Sequence, residues 1–425
     1  MPEILIEKLG SAGDGIGRND GRPVYVSNTL PGERVRTDDD LPNPSLQEVL
    51  EPSAERREPP CPHFGECGGC TFQHASQELI LDWKRQEVDL AFSQTGLVAS
   101  ADPTIASPIA ARRRVTFTAN RSGTGTEDTA NSAISLGYKQ RRSEALVNIE
   151  TCAILHPALE SEIGMLRDLC KTLLRGNEEI QIAINLCDNG LDLAFDLPQM
   201  PNETMIAGFV RAFAKTAYLR ASINGDVVVE KEKPLVSFGK AQVAIPSGGF
   251  LQAVADAEKA MAELVTKHLG GRKRVIDLFS GSGTFSLRLA ERSRVHAVEM
   301  EGPALEALRS ASSAEGLKSV TIEERDLHEL PLTSSELKPF DGLCLDPPRA
   351  GAEAQCKLIA ASNIRAVAYI SCNPGSLARD AAHLVNGGYT LERLVPIDQF
   401  VFSPHIEVVA LFTKKPSKAA RSIFR

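Results

Sequence analysis

Short apolar runs broken by glycine, proline and charge set two different rhythms along this chain. Over the first 52 residues the runs Ile4-Leu5-Ile6, Val24-Tyr25-Val26 and Arg34-Val35-Arg36 are separated by Gly13-Asp14-Gly15, Asp20-Gly21 and Pro31-Gly32-Glu33. Strand-length runs between tight-turn residues predict a small all-β barrel. A linker rich in proline and charge follows, Glu51 to Pro60, then a mixed segment with a helix expected over 77–92 and several short strands. From about residue 250 helical segments alternate with apolar strands at 275–279, 295–299, 342–345 and 366–370, and 406–412 is expected to close the sheet as its edge strand. That alternation predicts an α/β fold with a doubly wound parallel sheet. The expected domains are 1–55, 56–248 and 249–425.

A length of 425 residues agrees with two or three domains. No apolar run approaches 18 residues, so no spanning helix and no membrane partner are expected. The start Met1-Pro2-Glu3 lacks a basic and apolar leader, which leads us to expect a cytoplasmic protein. A net charge of −8 argues against a protein that coats nucleic acid indiscriminately, but it does not exclude a local patch. Between Arg112 and Arg142 seven Lys/Arg stand against two acids, Glu127 and Asp128; alone, this reads as a solvated loop sooner than as a nucleic-acid patch.

After the strand at 275–279 comes Phe279-Ser280-Gly281-Ser282-Gly283-Thr284-Phe285. Glycines there let the backbone turn at the carboxyl end of a first strand and approach a ligand. Glu299, about 20 residues on, ends the second strand, where an acid accepts from ribose hydroxyls. The third glycine of a dinucleotide fingerprint is replaced by Phe285-Ser286, which favours a nucleoside cofactor without pyrophosphate, such as S-adenosylmethionine. Asp326 lies beside the adenine by the same topology, or simply caps a helix.

Asp346-Pro347-Pro348-Arg349 and Ser371-Cys372-Asn373-Pro374 each follow a strand, at the edge where such sheets bind ligands. A thiolate at Cys372 suits a particular problem. Carbon 5 of uracil is too weak a nucleophile to take a methyl group until a thiolate adds to carbon 6, and a base must afterwards remove the carbon-5 proton. Glu407 is the candidate base, with His405 beside it as an alternative proton carrier; a surface position for Glu407 and a core role for Cys372 are the plainer readings.

Nine cysteines in a chain with no export signal point away from disulfides. Cys61, Cys67 and Cys70 form a compact soft-ligand set, and Cys152 is the nearest fourth; four thiolates suit either zinc or a [4Fe–4S] cluster. Cysteines 170, 187, 344 and 356 are scattered and read as packing residues.

With these residues in hand the chain resembles the bacterial RNA (uracil-5-)-methyltransferases, in particular the branch acting on 23S rRNA, over nearly its whole length. The resemblance implies a class I, Rossmann-like methyltransferase domain, an N-terminal TRAM-like RNA-binding barrel and a central α+β iron–sulfur domain. It assigns Cys61, Cys67, Cys70 and Cys152 to a [4Fe–4S] cluster. Gln252, Phe279, Gly281, Thr284, Glu299, Asp326 and Asp346 fall at cofactor positions, Cys372 at the nucleophile and Glu407 at the base. Arg112, Arg113 and Arg114 resemble a basic strand that holds RNA phosphates. Val254, Thr284 and Asp326 stand where the family often has asparagine. The expected partner is RNA, rRNA before tRNA, and the expected state is a monomer. A cytosine-5 enzyme would carry a second cysteine in the 346–349 segment, which has none. A non-catalytic RNA-binding iron–sulfur protein would tolerate loss of Cys372 and Glu407.

Overall fold

The fold is that of a computed structural model, in which residues 1–121, 133–176 and 178–415 are described. Glu127 and Asp128 of the basic stretch lie outside them. Strands Glu3–Leu9, Gly15–Asn19, Arg22–Val26, Arg34–Thr37 and Leu46–Glu51 form the N-terminal five-stranded antiparallel sheet. Its first strand alternates, turning Ile4 and Ile6 onto Val24, Val26 and Val35 to make a small core of its own. The hairpin between Asn19 and Arg22 turns on Asp20 and Gly21, both at positive φ (49° and 77°), the twist a two-residue hairpin requires.

A seven-stranded sheet forms the centre, running from Asp226–Glu230 through Glu179–Cys187 and Arg114–Arg121 to Leu146–Asn148, backed by helices Ile163–Leu173 and Glu203–Phe213. The C-terminal sheet has eight strands in the spatial order Val320–Glu324, Arg294–Glu299, Arg274–Leu278, Gly342–Leu345, Ala366–Ser371, Glu407–Lys414, Tyr389–Asp398 and Ile105–Ala106. The first five are parallel, as the strand–helix rhythm predicts. The strand expected as the closing edge is not an edge. Glu407–Lys414 runs antiparallel between Ala366–Ser371 and Tyr389–Asp398, so the sheet is mixed. Its first six residues are all buried, as a strand flanked on both sides and covered on both faces should be.

Helix Gln77–Gln94 is started by Ser76, whose hydroxyl accepts from the Leu79 amide. Its inner residues Val88 and Phe92 enter the core of the C-terminal sheet, while Ile80 and Trp83 enter that of the central one. One helix therefore joins two cores. No described helix is long and apolar enough to cross a membrane.

Candidate active site

The carboxyl ends of the parallel strands open onto a crevice of about 450 Å3. Gln252, Phe279, Gly281, Thr284, Glu299, Asp326, Asp346, Cys372 and Glu407 all line it, so the residues expected at cofactor, nucleophile and base positions meet at one place. The backbone explains the convergence. Phe279 leaves its strand in the left-handed region (φ 59°), a costly conformation for a large side chain, and Gly281 and Gly283 follow at 52° and 98°. A Cβ on Gly283 would lie 2.5 Å from Leu308 Cδ1, so the loop can pack this tightly only with glycine there.

Glu299 ties the loop to the second strand. One carboxylate oxygen accepts from the Gly281 amide (2.9 Å), the other from the amides of Met300 (2.7 Å) and Glu301 (3.0 Å). Asp326 caps a turn and no helix: its Oδ1 accepts from the amides of His328 and Glu329, and the residue lines the crevice. The Phe279 ring packs against His328 at 5.4 Å between centroids. Ser280 Oγ is buried in the crevice wall with no partner among the described residues, a polar atom left for a ligand to satisfy. The site fits a nucleoside-bearing cofactor.

Deeper in, a chain of side chains links two carboxyls. Gln252 Nε2 donates to Asp346 Oδ2 (3.3 Å), and Gln399 Nε2 donates to Gln252 Oε1 (2.9 Å) and to Glu407 Oε1 (3.4 Å). Burial lifts Asp346 to about 7, with the charge of Asp277 adding to the effect. Burial and then the Asp346 charge push Glu407 well above the usual carboxylate range, against the hydrogen bond from Gln399. Glu407 is 5% exposed, which removes the surface reading for it.

Cys372 is half-buried at the end of its strand, where Asn373 caps the helix Pro374–Asn386 that follows and so fixes the turn. Burial, Glu407 and Asp346 raise its thiol, while Arg349 pulls it down. It also lines a second, wider cleft of about 770 Å3 that reaches the N-terminal module at Ser11 and Ala12. Arg112, Arg141 and Arg349 face this cleft, as do Phe400 and His405. His405 does not line the cofactor crevice, and burial and nearby cations hold its imidazole below its ordinary value.

The three arginines expected to hold RNA separate. Arg112 faces the wide cleft, over the Phe400 ring. Arg114 lies over the exposed Phe250 ring at the rim of the cofactor crevice. Arg113 turns inward: its side chain is 11% exposed, pairs with Glu258 (2.5 Å) and donates to the Gln252 carbonyl (3.0 Å). It does not face the cleft, because the buried Glu258 carboxylate lies behind the strand and needs a cation.

Cys61, Cys67, Cys70 and Cys152 line one small, almost wholly apolar cavity of about 20 Å3. Burial first, and the other thiols in part, raise Cys70 to about 11 and Cys152 to about 12. Among the described residues no three His, Cys, Asp or Glu side chains are gathered so as to hold a metal ion, which leaves the zinc and the [4Fe–4S] expectations alike without support from the geometry. Four sulfur donors are a set whose chemistry would suit an iron–sulfur group, with Gln73, Thr151 and His63 lining the same cavity. Cysteines 170, 187, 344 and 356 are buried packing residues. The sequence reading missed Gln399, Arg349, Met300 and His328. None of the four carried a sequence signal, Gln399 because the strand it follows, Tyr389–Asp398, was itself not expected.

Residues 221–415 match the family model described as tRNA (Uracil-5-)-methyltransferase, and residues 2–36 match the TRAM domain. The chain is 41% identical over 413 residues to an RNA methyltransferase of Brucella suis biovar 1, described as uncharacterized, covering 97% of this chain and 98% of that one. It is 31% identical over 438 residues to the 23S rRNA (uracil(1939)-C(5))-methyltransferase of Chromohalobacter salexigens, covering 97% and 89%. Its fold is similar, at a TM-score of 0.72 and 20% identity, to the Pyrococcus abyssi tRNA (uracil-54, C5)-methyltransferase in complex with S-adenosyl-L-homocysteine, covering 97% of this chain and all of that one. A Rossmann-like sheet ending in a nucleoside crevice, a TRAM module and relatives matched end to end make one conclusion: this chain belongs to the S-adenosylmethionine-dependent RNA (uracil-5-)-methyltransferase family.

Proposed function

We propose that this protein methylates carbon 5 of a uridine in 23S rRNA, with Cys372 as nucleophile and Glu407 as base. The observation that carries the reading is the position of Cys372, which lines both the cofactor crevice and the wide arginine-bearing cleft. RNA enters by the cleft, and a uracil reaching Cys372 is then within the space that holds the methyl donor.

The Cys372 thiol gives its proton to solvent in the open cleft, and the resulting thiolate adds to carbon 6. The electron pair of the 5,6 double bond moves towards O4, and carbon 5 becomes nucleophilic. S-adenosylmethionine supplies the electrophilic methyl group and leaves as the neutral thioether. The Glu407 carboxylate then takes the carbon-5 proton, the double bond re-forms and the thiolate departs. A carboxylate whose ionisation is suppressed by burial is a stronger base once ionised, which suits removal of a carbon-bound proton. Asp346, Gln252, Glu299 and Asp326 would hold the cofactor, Glu299 at its ribose and Asp326 at its adenine. Arg112 and Arg114 hold RNA; Arg113 supports them from beneath.

Cys61, Cys67, Cys70 and Cys152 would hold a [4Fe–4S] group, and no step above requires an electron from it. The preference for rRNA rests on the end-to-end relative that acts on 23S rRNA. The test is methylation in vitro of 23S rRNA and tRNA transcripts with a deuterated methyl donor, followed by mass mapping. Label on carbon 5 of one 23S uridine supports the reading; label only in tRNA replaces the substrate, and label on another atom removes the mechanism.

A further inference from the structure

Lys84 is a charge in the interior: its side chain has no exposed surface at all. Its ammonium group uses all three protons. It donates to Asp398 Oδ1 (2.5 Å), to the Phe400 carbonyl (3.0 Å) and to the His405 carbonyl (2.8 Å). These partners bracket the loop 399–406, which joins the strands Tyr389–Asp398 and Glu407–Lys414. The loop begins with Gln399, which holds the Glu407 carboxyl, and runs directly into Glu407. A second tether lies at its middle, where the amides of Thr71 and Phe72 both donate to the Phe402 carbonyl (2.7 and 3.0 Å), with Phe402 itself at φ 60°.

We infer that Lys84 is a positioning residue for the reaction: from the helix Gln77–Gln94 it clamps both ends of the loop 399–406 and so sets the Glu407 carboxyl against the crevice. The inference rests on the reading of Glu407 as base. An ion pair this deep is a poor source of net stability, since removing two charges from water offsets most of their attraction. It is a good source of uniqueness: only one loop path satisfies three donors in fixed directions. Thr71, Phe72 and Lys84 all follow Cys70 in the chain, so both tethers come from the stretch 71–84.

The test follows from the order of steps. If base removal of the proton is what a displaced Glu407 impairs, addition of Cys372 and methyl transfer still occur, and the methylated RNA stays bonded to the protein. Full-length wild-type, Lys84→Met, Lys84→Met/Asp398→Asn and Glu407→Gln proteins would be incubated with S-adenosylmethionine and an RNA fragment. Covalent protein–RNA product would then be quantified on denaturing gels beside free methylated RNA. The double variant removes the partner charge as well, so it carries the test if the single one does not fold. The expected result is turnover lowered by about tenfold to a hundredfold, the scale of a misplacement near 1 Å. Covalent product should build up as it does for Glu407→Gln. If Glu407→Gln accumulates adduct while the folded Lys84 variants do not, the Lys84 inference is overturned. If none accumulates, the base assignment fails and takes the positioning role with it.

Discussion

Arginines 112 and 113 are neighbours in sequence, yet the structure gives their loss opposite consequences. Arg113→Met removes a cation that is 11% exposed from a carboxylate, Glu258, that is 3% exposed. Glu258 keeps its second partner, Arg288 (2.7 Å), whose other nitrogen holds the Thr284 carbonyl (2.7 Å) in the cofactor loop. Breaking a buried pair outright costs about 3–5 kcal/mol. With half the pairing retained and the bond to the Gln252 carbonyl also lost, about 2–3 kcal/mol is expected, the worth of one or two charge-assisted bonds. Arg112→Met removes a charge facing the open cleft, so its effect belongs to RNA binding; losing one phosphate contact lowers the slope of log affinity against log salt by about 0.7–0.9. Urea unfolding and RNA binding at several salt concentrations separate the two. Arg113→Met should shift the unfolding midpoint and leave the salt slope alone, and Arg112→Met should do the reverse. A reduced salt slope for Arg113→Met at undiminished stability would refute the inward assignment.

Other outcomes follow from the same geometry. Folding raises the Asp346 carboxyl from 3.8 to about 7, so its neutral form stabilises the cofactor-free protein at low pH, and that stability is lost as pH rises through 7. A sulfonium cation entering the crevice favours the ionised carboxyls. S-adenosylmethionine should therefore bind more tightly at about pH 8 than at about pH 6, by up to tenfold per proton released, while S-adenosylhomocysteine changes little; calorimetry at both values checks this. Gly283→Ala forces a Cβ to within 2.5 Å of Leu308 at φ 98° and should cost about 1–3 kcal/mol with weaker cofactor binding, read by thermal unfolding with and without S-adenosylhomocysteine. Protein purified without oxygen should contain iron and acid-labile sulfide in equal amounts, both lost in Cys152→Ser.

The parallel core was legible because strands 274–278, 294–299, 342–345 and 366–371 are short apolar runs closed by turn residues, and burial on both faces demands such runs. Tyr389–Asp398 was not. An irregularity between Leu391 and Arg393 breaks its alternation, and its exposed Glu392 and Arg393 imitate a loop, so the following strand was taken for the edge. The crevice was legible for a related reason: strand ends converge by topology, so residues far apart in the chain could be placed together without knowing any side-chain contact. Contacts that depend on partners were invisible. Nothing in Arg112-Arg113-Arg114 says which arginine meets a glutamate 145 residues away, and nothing at Lys84 points to Asp398, 314 residues on.

Covalent capture tests the account at its root. RNA carrying 5-fluorouridine at the target offers carbon 5 no proton to lose, so the adduct formed after methyl transfer cannot resolve. Wild-type protein with S-adenosylmethionine should give a species stable to denaturation, whose mass equals protein plus methylated RNA and whose digested peptide joins the RNA at Cys372. Cys372→Ser should give none. Methylation of natural RNA at an undiminished rate by Cys372→Ser, or an adduct mapped to a different residue, would contradict it.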